Sequence, residues 1–221
     1  MTPTTTAALA GSKRERTRDE LLVAAQALLL EQSAGSLGVR QIAARAGLVH
    51  ASFYTHYPSV EALITDLADL VLAAHASRVG TLRAGAPTLA DGFALATRQT
   101  LHFITLSPDY GRLFFDAGLP VDRFAAGLRA TMAGDVMAGM AGGEFRVVDA
   151  ELSIAMVSGA ILGVALDLHR GRITGAAIEA ATEMLLRHLG VAPAEARRAA
   201  HAPMTFVPPP PLPLRWLDLR A

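Results

Sequence analysis

The sequence predicts an all-α protein, with a small N-terminal unit of short helices and a larger helical unit after it. Three observations carry this. Apolar residues recur at spacings of three and four along nearly the whole chain, the repeat of a helix with one buried face. Val, Ile and Thr nowhere alternate with polar residues for long, so strand signals are scarce. The 221 residues are 52% hydrophobic and 18% charged, enough apolar material for a sizeable core.

The elements follow in order. Residues 1–12, rich in Thr and Ala, read as a flexible terminus. Thr17 and Glu20 have capping-box spacing and open a first helix, with Leu21, Ala24, Ala25, Leu28 and Leu29 on its inner face. The segment Ser33-Ala34-Gly35-Ser36 ends it. A short helix over about Val39 to Ala46 stops at Gly47, and a second over about His50 to His56 stops before Pro58. Ser59 caps a longer helix that buries Leu63, Leu67, Leu70, Val71 and Ala74, and a break is expected at Gly80 to Pro87. Thr88 and Asp91 again have capping-box spacing and open a helix to about Leu106. Pro108 restarts a helix at the tolerated first position, and Gly118 and Pro120 end it. A Gly- and Met-rich helix spans about Val121 to Ala141. Asp149 caps an apolar helix to His169, Thr174 opens another to Leu189, and Pro193 to His201 forms one more. Pro208 to Pro211 and Pro213 give a polyproline-like tail, either loose or packed down by Trp216.

Several classes of function drop out. Twenty basic residues balance twenty acidic ones, which excludes a uniformly basic nucleic-acid coat but not a local basic patch. There is no cysteine, which excludes disulfides, thiolate metal sites and cysteine nucleophiles. The longest uncharged apolar run, Leu152 to Leu166, has fifteen residues, short of a bilayer span of ~18–20. The charges Lys13, Arg14, Arg16 and Arg18 follow the weakly apolar Ala7 to Ala10, the reverse of a secretory signal. A soluble cytoplasmic protein with no membrane partner is expected. The histidines His50, His56 and His102 lack partners at metal-ligand spacing, and no phosphate loop, nucleophile elbow or Ser/His/Asp order stands out. No catalytic residue, metal or cofactor is therefore assigned.

The informative stretch is VRQIAARAGLVHASFYTHYPSVEAL, residues 39–63. Two short helices meet at a glycine turn, with Ile42, Ala43, Ala46, Leu48 and Phe53 placed to pack together. This is the layout of a helix-turn-helix, whose second helix can enter a DNA major groove. Val49, His50, Ala51, Ser52 and Thr55 would face base edges there. Tyr54, His56 and Ser59 carry donors suited to phosphate oxygens, and Arg16 and Arg40 add positive charge. The bland counterpart is a purely structural corner.

The stretch resembles the N-terminal domain of the tetracycline-repressor (TetR) family of bacterial transcriptional regulators. The resemblance rests on Ile42-Ala43, Ala46-Gly47-Leu48, Ser52-Phe53-Tyr54-Thr55-His56-Tyr57 and Ser59-Val60-Glu61-Ala62-Leu63, with Thr17-Arg18 to Ala25 similar to the family's first helix. It covers about residues 13–74. Val60 stands where the family usually has a phosphate-contacting lysine, and Leu37-Gly38 where it has a capping Thr or Ser. The cluster Lys13, Arg14, Arg16 and Arg18 is expected to compensate as a basic arm.

The resemblance implies a DNA-binding domain over 13–74, an effector-binding and dimerisation domain over 75–202 and a Pro-rich tail over 203–221. It implies a repressor that binds a double-stranded, palindromic operator as a homodimer and leaves it when a small, largely apolar effector binds. The spacing Ala155-x-x-x-Gly159-x-x-x-Gly163 puts small residues on one helix face. With Leu162, Leu166, Ile178, Ala181, Leu185 and Leu189 it forms the implied dimer interface; internal packing is the alternative. Phe93, Phe103, Phe114, Phe115, Met132, Met137 and Met140 are candidates for an apolar effector pocket, with His102, Tyr110 and Arg112 as polar fixers. Two rival readings stay open: an all-helical enzyme or small-molecule carrier with a structural helix-turn-helix, and a protein-binding scaffold.

Overall fold

The computed structural model describes residues 11–220, among which there is no strand. The chain forms two compact units. One comprises the described residues through Val71 and those from Pro210 onward; the other is Leu72–Pro209. The units part slightly before the boundary expected at Ala74, and the tail is shared between them rather than standing apart.

In the first unit, α1 (Lys13–Leu29) starts one turn earlier than the Thr17–Glu20 spacing predicts. Ser12, with φ −61° and ψ 159°, is the true cap: its hydroxyl accepts from the Glu15 N–H at 3.2 Å, and the Glu15 carboxylate accepts from the Ser12 N–H at 2.9 Å. An S-x-x-E box thus operates at the first place where the chain can enter the helix. The flexible-terminus expectation otherwise concerns residues 1–10, which lie outside the described residues. The basic cluster is not an arm, because its four residues lie within α1. Arg18 is also engaged internally, pairing with Asp66 at 2.8 Å and donating to the Tyr57 hydroxyl at 3.1 Å.

A 3-10 turn (Ala34–Ser36) leads to α2 (Val39–Arg45) and then α3 (His50–Tyr54). Next comes α4 (Val60–Ala84), whose residues through Val71 belong to this unit. Leu21, Leu22, Leu29, Ile42, Phe53, Leu63, Leu67 and Leu70 are sealed from solvent and form the core. Ser59 caps α4 as its position suggests, accepting from the Ala62 N–H at 3.3 Å. The break expected at Gly80 to Pro87 falls in the later part of that stretch and not at Gly80 itself. A single glycine costs a helix only ~1 kcal/mol, and α4 runs on to Ala84 before Gly85 and Pro87 end it.

The tail from Pro210 is packed, not loose. Gln26 is fully buried, and its side-chain amide pairs both ways with Leu214, donating to the carbonyl at 2.8 Å and accepting from the N–H at 2.7 Å. The carboxylate of buried Asp19 accepts from the N–H groups of Trp216 and Leu217, each at 3.1 Å, at the start of α11 (Trp216–Leu219). The Trp216 indole donates to Asp66 at 3.2 Å. Polar groups inside α1 are thus satisfied by a segment almost two hundred positions away.

The second unit is organised around α5 (Leu89–Thr105). It is buried along nearly its whole length by α6 (Pro108–Phe115), α7 (Val121–Ala141), α8 (Ala150–His169), α9 (Ile178–His188) and α10 (Pro193–His201). A 3-10 turn, Gly175–Ala177, intervenes between Thr174 and α9. Buried polar groups of α5 are answered from the far end of the unit. Asp91 is bound by Arg198 at 2.8 and 2.9 Å, Arg98 donates to the Ala202 carbonyl at 2.6 Å, and Gln99 pairs both ways with Val207. By length and composition α8 is apolar enough to cross a membrane; Ile154, Val157, Ile161, Ala165 and Leu168 instead bury one face within the unit.

Candidate functional site

The turn between α2 and α3 is built by Gly47. Its φ of +69° is a left-handed conformation that a Cβ disfavours. The Leu48 N–H reaches back to the Ala43 carbonyl at 2.8 Å and the Gly47 N–H to Ala44 at 3.1 Å, a paired helix-ending motif. The chain then leaves α2 at a fixed angle into α3. Phe53 is fully buried and anchors α3 to the core; Tyr57, nearly buried, lies 5.9 Å from its ring. The Tyr57 hydroxyl donates to Asp66, and burial with that carboxylate raises the phenol far above its usual range.

This anchoring leaves one face of α3 outward. Val49 is 71% and Tyr54 54% exposed, and His50, Ala51 and Thr55 are exposed beside them. Ser52, His56 and Ser59 are half-buried at the edge. The His50 and Tyr54 rings meet edge to face at 5.4 Å. Arg40 and Arg16 are exposed, Arg16 also bonding the Gly11 carbonyl. Burial and the positive charges of Arg14 and Arg18 hold His56 below the ordinary imidazole range, so it is a neutral hydrogen-bonding group at pH 7.

The second unit contains a cavity of about 280 Å³. Leu72, Val79, Phe124, Leu128, Met132 and Ile161 supply its apolar wall, and His75, Arg83, Thr97, Thr100 and Thr131 its polar groups. Of the expected pocket residues, only Met132 lines it. Phe93, Phe103, Tyr110 and Phe114 are core residues, with Phe103 and Tyr110 rings 4.4 Å apart. Phe115 and His102 are half-buried, against His169 and Phe206 respectively. Arg112, Met137 and Met140 are exposed and do not reach the cavity. The misplacement has a simple cause: aromatic residues mark where apolar mass is needed, and here it fills the core. The polar residues of the cavity wall come from α4, α5 and α7, on positions that look unremarkable in sequence.

His75 carries the sharpest electrostatics of the wall. Thr100 donates its hydroxyl proton to the Ala96 carbonyl at 2.8 Å, so its oxygen can only accept from His75 Nε2, 3.0 Å away. That assigns the proton to Nε2 and leaves Nδ1 a bare acceptor, which is buried with no partner. Burial, reinforced by Arg78, pushes the ring down to about 4 from 6.5. Folding therefore favours the neutral ring. Its contribution is complete above pH 6.5, and it is lost as pH falls from 6.5 toward 4, by up to about 3 kcal/mol. Urea unfolding at a series of pH values is expected to show a shallower acid limb for His75→Phe; parallel limbs would refute this.

On α8, Gly159 and Gly163 face outward, and a Cβ at either meets nothing within 4 Å. Leu152 and Met156 extend the same exposed stripe, and Met184 of α9 is 70% exposed. Ala155, Leu162, Leu166 and Ala181 lie half-buried at its margins. Ile178, Leu185 and Leu189 are buried within the chain itself, which corrects their expected place in an interface. The apolar stripe of α9 packs inward, and among the described residues Met184 is the large apolar side chain that this helix leaves exposed. Leu152 and Met156 were missed because α8 is apolar on both faces, and periodicity cannot tell its outside from its inside; Met184 was missed because the apolar stripe of α9 drew attention to the face that packs inward.

Comparison with known proteins agrees with this architecture. Residues 21–67 match the family described as bacterial regulatory proteins, tetR family, and residues 89–202 match the tetracyclin repressor-like C-terminal domain. The chain belongs to the TetR family of DNA-binding, ligand-responsive transcriptional regulators. It resembles RolR in complex with resorcinol, with TM-score 0.70 at 22% identity over 87% of this chain and 97% of RolR. It resembles a TetR-family regulator from Pectobacterium atrosepticum, with TM-score 0.64 at 21% identity, over 80% and 95% of the two chains. It also resembles FadR from Bacillus subtilis in complex with stearoyl-CoA, with TM-score 0.61 at 16% identity, over 76% and 97%. No curated protein sequence matches it.

Proposed function

We propose that this regulator is a cytoplasmic homodimeric repressor that binds a palindromic operator and is released by a small effector held in the cavity of its second unit. The observation that carries the reading is the exposed row Val49, His50, Ala51, Tyr54 and Thr55, presented by a helix whose inner side is locked through Phe53. His50 and Thr55 offer hydrogen bonds to base edges, and Val49 and Ala51 offer apolar contact to thymine methyls. Tyr54, His56 and Ser59 serve phosphates.

The domain roles follow the two units, with DNA reading in the first and effector binding and dimerisation in the second. The outward stripe of α8 supports the dimer: Gly159 and Gly163 permit close approach, and Leu152, Met156 and Met184 supply apolar area. Two reading helices about 34 Å apart then fit successive major grooves of a palindrome. RolR with resorcinol and FadR with stearoyl-CoA support a small-molecule effector. Release is a population shift, in which the effector favours a conformation whose readers no longer fit the operator. The link is α4, which belongs to the reading unit at its start and lines the cavity farther on.

The test is a mobility shift with the DNA flanking the protein's own gene, in wild type, Tyr54→Ala and His56→Ala. Saturable, salt-sensitive binding is expected, lost by at least about tenfold in each variant. Binding no tighter than to random DNA at physiological salt would overturn the proposal.

A further inference from the structure

The wall of the cavity in the second unit is chemically specific. Leu72, Val79, Phe124, Met132 and Ile161 favour an apolar body, and about 280 Å³ holds roughly a dozen non-hydrogen atoms at protein packing density. One charged side chain, Arg83, borders it, and Arg83 is already ion-paired with the buried carboxylate of Asp135. An anionic ligand would have to compete with that carboxylate, and a cationic one would face Arg83. The wall is therefore balanced for an uncharged guest.

Two polar atoms on lining residues are unpartnered: His75 Nδ1 and the Thr97 hydroxyl. Buried polar atoms without partners are uncommon and each asks for an explanation. His75 Nε2 is committed to Thr100, so Nδ1 can only accept. The ring also lies against Phe103, tilted by 58° with 4.9 Å between centroids.

We infer that the effector is a compact, uncharged, hydroxyl-bearing molecule whose O–H donates to His75 Nδ1 once the ring tilts toward the cavity. This rests on the regulator reading and deepens it, naming the ligand class and the residue that selects it. The neutral state of the ring keeps the acceptor lone pair available throughout the physiological pH range. A ligand lacking the hydroxyl fills the same space but leaves Nδ1 unpaired, and such sites discriminate strongly against the analogue that cannot bond.

The test uses 2-naphthol, 2-methoxynaphthalene, naphthalene and 2-naphthoate as probes, with calorimetric titration of the full chain. Wild type is expected to bind 2-naphthol at least about tenfold more tightly than 2-methoxynaphthalene, and more tightly than 2-naphthoate. In His75→Phe the two neutral ligands should converge within about twofold while naphthalene binding is retained. His75→Asn, which keeps an acceptor near the position of Nδ1, should restore part of the preference. Equal binding in wild type, a preference that survives His75→Phe, tighter binding of 2-naphthoate, or no binding of any probe would each overturn the inference. Operator binding is measured on the same preparations. Lost selectivity with operator binding intact defeats the ligand class alone, and intact selectivity without operator binding defeats the regulator reading alone.

Discussion

A chain ending at Pro209 is expected to lose about 3 kcal/mol of stability in its first unit and to melt roughly 10 °C lower. The segment removed makes no contribution that composition would flag, yet it answers buried groups of α1. Gln26 would lose its bonds to the Leu214 carbonyl and N–H, and Asp19 its bonds to the Trp216 and Leu217 N–H groups. Leu214 and Leu217, both nearly sealed from solvent, would take their buried apolar area with them, at about 1.5–3 kcal/mol each. Water entering the vacated space and the freed entropy of the tail offset part of this. Gln26→Ala in the full chain should move the melting temperature in the same direction by a smaller amount. A truncated protein that melts within about 2 °C of the full chain would show that the tail merely lies on the surface.

Phe53→Ala is expected to destabilise the first unit by about 3–5 kcal/mol and to abolish operator binding. Phe53 is fully buried, with its ring edge to face with Tyr54 at 5.6 Å and tilted against Tyr57 at 5.9 Å. Removing it opens a cavity under a helix of five residues that has little stability of its own. Tyr54→Ala is the matched control. Tyr54 is 54% exposed, so its loss should leave denaturant stability within about 0.5 kcal/mol while still weakening DNA binding. If Phe53→Ala folds with unchanged stability, Phe53 is not the anchor of α3. If Tyr54→Ala destabilises as much as Phe53→Ala, its effect on binding cannot be read as a lost contact.

Much of the first unit was legible in the sequence because its signals are local. The Gly47 turn, the apolar positions Ile42, Ala43 and Phe53, the stop before Pro58 and the cap at Ser59 each act over a few residues, and together they determine which side of α3 faces out. The start of α1 was not legible in the same way. The Thr17–Glu20 spacing is sound locally, yet Ser12 and Glu15 form the cap, because the start depends on how far the helix can extend before the chain must turn.

The sequence by itself determined the helical class, the order of the helices and the outward row at His50, since these depend on periodicity and turn chemistry within a few residues. Tertiary structure alone decided that the proline tail is an integral part of the first unit, because Gln26 and Asp19 find partners only by long-range closure. It alone decided that α8 turns Gly159 and Met156 outward while α9 turns Leu185 inward, because helices apolar on more than one side are sorted by their neighbours. It also placed a lone acceptor, His75 Nδ1, on a cavity-lining side chain. Which ring nitrogen is free depends on a hydroxyl twenty-five residues away and on where that hydroxyl sends its own proton.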